Sequence, residues 1–432
     1  MDREANLDLR QRAAFRLGVP LAVLFLLGSL VAVVLTLPAA MAATAQCSGV
    51  QVSPPSGFTQ RLVDAQPEGT TFCLGAGTFK MAESVVVPAG DKIVGASRST
   101  TVLDFSSAKL DGQNDMMFGL YGYSGYQDQV TVQHLTIQHC QVPSTNNCLA
   151  MKQGSDWIVS DVESRYNDVG LTGNCSGCFI HHNLVYGVSG AGRIEDSEVS
   201  FNGGTPDSGG STGASKTVRD ANMTWRGNYI HDNRGTGIWC DACWRDSTIM
   251  IENNRIENNE GPGIAFELTW GTWNCGWCGS GYAIARNNTL VGNASADRGK
   301  SCFYGGQVSI NNSEGIEISG NTIDSSGGTN AICVTDTPRS AHWPTYPEHV
   351  APFTAYNNTI ILRGPALVGE AGQEGGGGVP LNATTFLLKN NTYKVDSLST
   401  PHWTWYTSSS PLTFGKWRDQ GMDGGSTIAE LE

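Results

Sequence analysis

Charge is scarce in this chain. Asp, Glu, Lys and Arg make up 16% of the 432 residues, with 40 acidic against 27 basic. The net charge of −13 argues against a nucleic-acid partner and fits an exported, soluble body. Long helical segments are missing too. With 53 Gly and frequent Asn, the chain is punctuated too often to sustain them. No Lys or Arg occurs between Arg16 and Arg61.

That gap contains one uncharged apolar run, Leu17 to Leu37, behind Arg3, Arg10, Arg12 and Arg16. Ala43-Thr44-Ala45 follows it. Two readings remain open. One is a cleaved signal peptide. The other is a retained single-pass anchor through residues 17–37 with a cytoplasmic N-terminus. Both place the body outside the cytoplasm, secreted or at the cell surface.

All twelve Cys lie beyond this run. An even count in an exported chain favours disulfides, with Cys47–Cys73 and Cys140–Cys148 as local bridges. Three CxxC pairs remain: Cys175/Cys178, Cys240/Cys243 and Cys275/Cys278. They admit disulfides or a structural zinc site, although the gap from Cys243 to Cys275 exceeds zinc-ribbon spacing. The βαβ context of a thioredoxin-like redox pair is lacking.

What the chain does have is a repeat. Asn228–Asp241 aligns with Asn254–Glu267 at a shift of 26 residues, keeping Asn, Ile, Asn, Gly, Gly and Ile in place. The marker, a small polar residue or Asn two positions before an apolar one, recurs at Gln133, Ser160, Ser197, Asn228, Asn254, Asn288, Asn321, Asn358 and Asn391. A unit of this size holds two or three short strands, none able to bury its apolar face alone. Stacked as a coil, the units bury an Ile/Val/Leu column and align the Asn residues as a hydrogen-bonded ladder. The expected fold is all-β, a right-handed parallel β-helix of roughly nine or ten turns. The ladder also accounts for Asn-x-Ser/Thr sequons, such as those starting at Asn287 and Asn357, without glycans. The expected divisions are 1–45 signal peptide or anchor, 46–129 entry part, 130–400 repeats and 401–432 cap.

Alternation in the central strands sends Ile238, Cys240, Ile264 and Phe266 inward, and Trp239, Asp241, Ala265 and Glu267 outward. The 26-residue register stacks Asp241 on Glu267. Two neighbouring carboxylates suit acid/base work or a calcium ion. His231 is a candidate proton shuttle. Lys216 and Arg219, in the insertion 203–221, are candidates for a sugar carboxylate or for proton removal beside it. Trp270, Trp273 and Trp277, in the insertion 269–281, join Trp239 as candidate sugar platforms. Arg226, Glu252 and Arg286 share a column of alternating sign, read as a stabilising ion ladder.

The runs Ser215-Lys-Thr-Val-Arg-Asp220, GNYIHDNRGTGIW and NNRIENNEGPGIAFEL resemble bacterial right-handed parallel β-helix repeat proteins of the pectate-lyase-like superfamily. GTTFCLGAGTF and Phe414-Gly-Lys-Trp417 with Gly421 are similar to that family's two ends. The resemblance spans residues 50–430. It implies the fold, and a choice among polysaccharide lyases, hydrolases, epimerases and catalytically silent surface proteins. The Asp-Pro-His run of mannuronan epimerases is absent, and so is a clear Asp cluster of the pectate lyase or polygalacturonase kind. The resulting expectation is an extracellular, monomeric, carbohydrate-active lyase or hydrolase of an acidic polysaccharide. The alternative is a non-catalytic surface module that binds glycans or protein.

Overall fold

The structure, a computed structural model, describes residues 47–432 apart from 56, 114–115, 123–128, 143–146, 155, 191, 205–211, 219–221, 244–247, 270–281, 298–304, 328, 336–352, 373–385 and 405–409. The apolar run at 17–37 lies outside the described residues, as do Arg219, Trp270, Trp273 and Trp277.

One central rung shows how the chain folds. Met223–Arg226 forms a strand, Gly227-Asn228 turns it, Tyr229–His231 continues it, and Asp232 to Gly237 bring it into Ile238–Asp241. Each strand pairs in parallel with its counterpart one rung on. Inward residues therefore stack as columns. Trp225, Ile251, Ala285, Ile318 and Ala355 form one. Ile230, Ile256, Leu290, Ile323 and Ile360 form the second. Ile238, Ile264, Val308, Ile332 and Val368 form the third. All are buried in one continuous core. The strands merge into a long 24-stranded sheet and a shorter sheet, and the coil is a right-handed parallel β-helix.

Twelve strands of the short sheet follow one another in parallel, from Val85–Val86 to Trp403–Thr404. This exceeds the nine or ten turns expected from the marker, for two physical reasons. Pairing already starts at Val50 with Phe72 and continues to Ile93, in strands that carry no Asn marker. Between Ser160 and Ser197 the marker also misses a rung in which Cys178 takes the ladder position, donating its N–H to Ser197 Oγ at 3.0 Å.

The ladder itself is as expected. Asn228 N and Nδ2 both donate to Asn254 Oδ1, and Asn254 repeats this on Asn288, onward through Asn321 and Asn358 to Asn391. A second ladder, not anticipated, runs from Asn167 through Asn183, Asn202, Asn233 and Asn259 to Asn293. At the far end, the helix Phe414–Arg418 packs Phe414 and Trp417 into the core beside Tyr393 and Phe386. Disulfides join Cys47–Cys73, Cys140–Cys148, Cys175–Cys178 and Cys240–Cys243. The pair Cys275/Cys278 lies outside the described residues.

Candidate functional site

Three successive strands of the short sheet build the site: Gly213–Val218, Ile238–Asp241 and Ile264–Glu267. Asp241 pairs with Glu267 in the ladder, as the 26-residue period requires. Their side chains then part company. Asp241 Oδ2 meets Lys216 Nζ at 3.0 Å, with both side chains about four-fifths buried. Glu267, at 5% exposure, accepts from Trp239 Nε1 at 3.1 Å. Lys216 Nζ also sits 3.7 Å from the centroid of the Trp239 ring. A diagonal chain thus crosses three rungs: Glu267 holds the indole, the indole supports the ammonium, and the ammonium meets Asp241. Cation–π contact and ion pairing reinforce each other where water is partly excluded.

The outward face of this sheet is covered beyond Asp241, whereas Val218, which pairs with Asp241, is 44% exposed. Trp239 and Ala265 are each 2% exposed, and Asn311 and Thr335, which continue the Asp241–Glu267 column, are also buried. Alternation gives the direction of a side chain but not what lies over it, so outward-pointing Glu267 is buried rather than free to react. Among the described residues no group of three or more His, Cys, Asp or Glu side chains converges as metal ligands. At Asp241 the place beside the carboxylate is taken by the Lys216 ammonium.

His231 does not join this group. It ends the strand Tyr229–His231 in the long sheet, with Nδ1 2.7 Å from Asp232 Oδ2 and Nε2 3.2 Å from Glu198 Oε1, and it stacks on Tyr229 at 3.9 Å. The hydrogen bond of Tyr229 to Glu257 pushes its phenol up to about 12. The expected ion column is present: Arg226 Nε and Arg286 Nε donate to the two oxygens of Glu252 at 2.6 and 2.7 Å. Burial alone would raise the Glu252 carboxyl, but the two guanidinium groups hold it below its ordinary value.

A second group of side chains, which the sequence did not single out, is brought together by the fold. His139, Tyr166, His182 and Phe201 line one corner of the coil, with Glu163 and His181 behind them. Tyr166, His182 and Phe201 each stand directly before an Asn of the second ladder. That placement is the signal that could have revealed the column.

The sequence profile of the family described as right-handed beta helix region matches residues 123–342. The chain belongs to this family. No curated protein matches it significantly in sequence. Among solved structures, this β-helix is similar to the A-module of an Azotobacter vinelandii mannuronan C-5 epimerase, at 14% identity and a TM-score of 0.55, over 86% of this chain and 94% of that one. It also matches the catalytic unit of a Streptomyces thermodiastaticus GH87 alpha-1,3-glucanase, at 16% identity, 86% and 72% coverage and a TM-score of 0.43. A Yersinia enterocolitica family 28 exopolygalacturonase matches at 10% identity, 88% and 78% coverage and a TM-score of 0.42. At these identities the likeness speaks for the fold alone.

Proposed function

We propose that this β-helix is an exported enzyme that cleaves an acidic polysaccharide by β-elimination at the Lys216–Asp241 pair. The carrying observation is the ammonium of Lys216, held both by Asp241 at 3.0 Å and by the face of Trp239 at 3.7 Å. A fixed cation suits a uronate carboxylate and the enolate charge that develops when the neighbouring C5 proton leaves. Asp241 takes that proton. The electron pair released from C5–H forms the C4=C5 double bond, C4–O4 breaks, and O4 leaves as a hydroxyl by taking a proton from water. Trp239 and Glu267 are positioning residues.

Hydrolysis is the less favoured outcome, because it calls for two carboxyl groups flanking the scissile bond. Here the second, Glu267, is buried and bonded to Trp239. The disulfides support export, since such bonds persist in oxidising compartments. The fold shared with a mannuronan epimerase agrees with an acidic substrate.

The test incubates the purified protein with uronate polymers and neutral glycans, with and without calcium. New ultraviolet absorbance of an unsaturated uronate is the expected result. New reducing ends without it would replace elimination by hydrolysis. Absence of both on every substrate would remove the enzyme reading.

A further inference from the structure

In seven successive rungs the residue that turns the corner after the second strand of the long sheet takes the left-handed conformation. At three rungs that residue is Asp232, Asn258 or Gly292, with φ of 52°, 56° and 64°. These types adopt positive φ at little cost. In four earlier rungs the same corner holds His139, Tyr166, His182 and Phe201, with φ of 61°, 53°, 54° and 54°. Bulky side chains are strained there, and such strain collects at functional sites.

Burial does not explain these rings. Tyr166 is 42% and Phe201 48% exposed, and His182 is exposed as well. Nor are they loose. His139 and Tyr166 stack at 5.9 Å, Tyr166 and His182 lie 5.4 Å apart, and His182 and Phe201 stack at 5.3 Å. Behind them, Glu163 Oε1 meets His181 Nε2 at 2.9 Å, and His181 Nδ1 meets His182 Nδ1 at 2.6 Å. Arg165 sits over the Tyr166 ring. A surface so held loses little entropy on binding. At the His139 end the column opens into a groove of about 560 Å³, lined also by Lys80, Asp104 and Gln141. Lys80, itself exposed, pairs with Asp104 at 2.8 Å.

We infer that this corner is a carbohydrate-binding surface, in which an oligosaccharide runs along the His139–Tyr166–His182–Phe201 column with one end in the Lys80–Asp104 groove. The occupant follows from the chemistry. The exposed aliphatic side chains Ile158, Val218, Leu387 and Leu398 are not part of the column, and its aliphatic surface is confined to the partly buried Val142 and Leu184 in the groove, little for a protein-docking patch. The exposed edges of these stacked rings, interleaved with hydrogen-bonding His, Arg and Lys side chains, suit pyranose C–H groups and hydroxyls. The rung repeat of roughly 4.8 Å lets successive rings meet successive sugars. The inference is independent of the reaction proposed at Lys216.

The test is calorimetric titration of the full chain with oligomannuronate, oligogalacturonate and cello-oligosaccharides. It is run in a Lys216→Met background so that the other patch does not contribute. The informative variant is Tyr166→Asn with Phe201→Asn, because Asn fits the left-handed corner. The expected result is binding weakened at least roughly tenfold, with a melting temperature equal to or above the parent's. Binding of acidic sugars alone would assign the carboxylate to Lys80, and binding of neutral ones as well would assign recognition to the rings. The inference is overturned if no oligosaccharide binds, if the double variant binds as the parent does, or if its melting temperature falls, which would make the rings packing elements. Absence of activity on every polymer in the wild-type chain, with binding intact in these titrations, would strike the proposed reaction and leave this surface standing.

Discussion

Replacing Asn254 by Ala should destabilise the coil more than any exposed substitution of similar size. Asn254 is 2% exposed, and its Oδ1 accepts both the backbone N–H of Asn228 at 3.0 Å and Asn228 Nδ2 at 2.9 Å. Its own Nδ2 donates to Trp225 O and to Asn288 Oδ1, each at 2.9 Å. Alanine removes all four bonds. Asn228 is also 2% exposed, so its backbone N–H and the Nδ2 hydrogen that met Asn254 are stranded away from water, while Nδ2 keeps its bond to Ile194 O. At about 1–3 kcal/mol per buried unsatisfied group, partly relieved by relaxation, the expected loss is about 3–5 kcal/mol. Thr289→Ala, at an exposed position one rung on, should change stability by less than about 0.5 kcal/mol. Urea unfolding followed by both tryptophan fluorescence and far-ultraviolet circular dichroism reads the difference as a midpoint shift at constant slope. A loss under about 1 kcal/mol for Asn254→Ala would refute the reasoning, because the ladder would then contribute no more than an average hydrogen bond.

Two further predictions concern pH. Asp91 is buried, and burial raises its carboxyl to about 6 although Thr70 donates to it. The native state therefore keeps this proton where the unfolded chain has lost it, and stability falls as pH rises from about 4 to 6. Asp91→Asn should remove that fall, gaining at most about 3 kcal/mol at pH 8 and nothing at pH 3; equal gains at both would contradict the assignment. Glu252 has the opposite sign, since its folded value is depressed. Its contribution is present above the unfolded value and lost as pH drops further. The stability difference between wild type and Glu252→Gln should thus shrink below about pH 4, and a difference that grows on acidification would exclude the ion ladder as its source.

The core of the fold was legible because a solenoid repeats its physics. Asn228 over Asn254, Ile230 over Ile256 and Asp241 over Glu267 follow from one period, and the Arg226–Glu252–Arg286 column follows from the same arithmetic. A period does not give the angle at a corner. Asp232 to Gly237 swing the chain from the long sheet to the short one, which separates His231 from Asp241 despite their nearness in sequence. Nor does a period show what covers an outward face, which is why Glu267 looked available and is buried. The aromatic column was hidden because its rungs are unequal in length, and Cys178 in place of Asn broke the marker between them.

The central claim, that Lys216 and Asp241 act together on an acidic polysaccharide, is tested most directly by the rate of unsaturated uronate formation in Lys216→Met and Asp241→Asn. The account predicts a loss of at least about a hundredfold in kcat/KM for each variant, with the far-ultraviolet circular dichroism of the coil unchanged. Wild-type rates in either variant, with the coil intact, would contradict it.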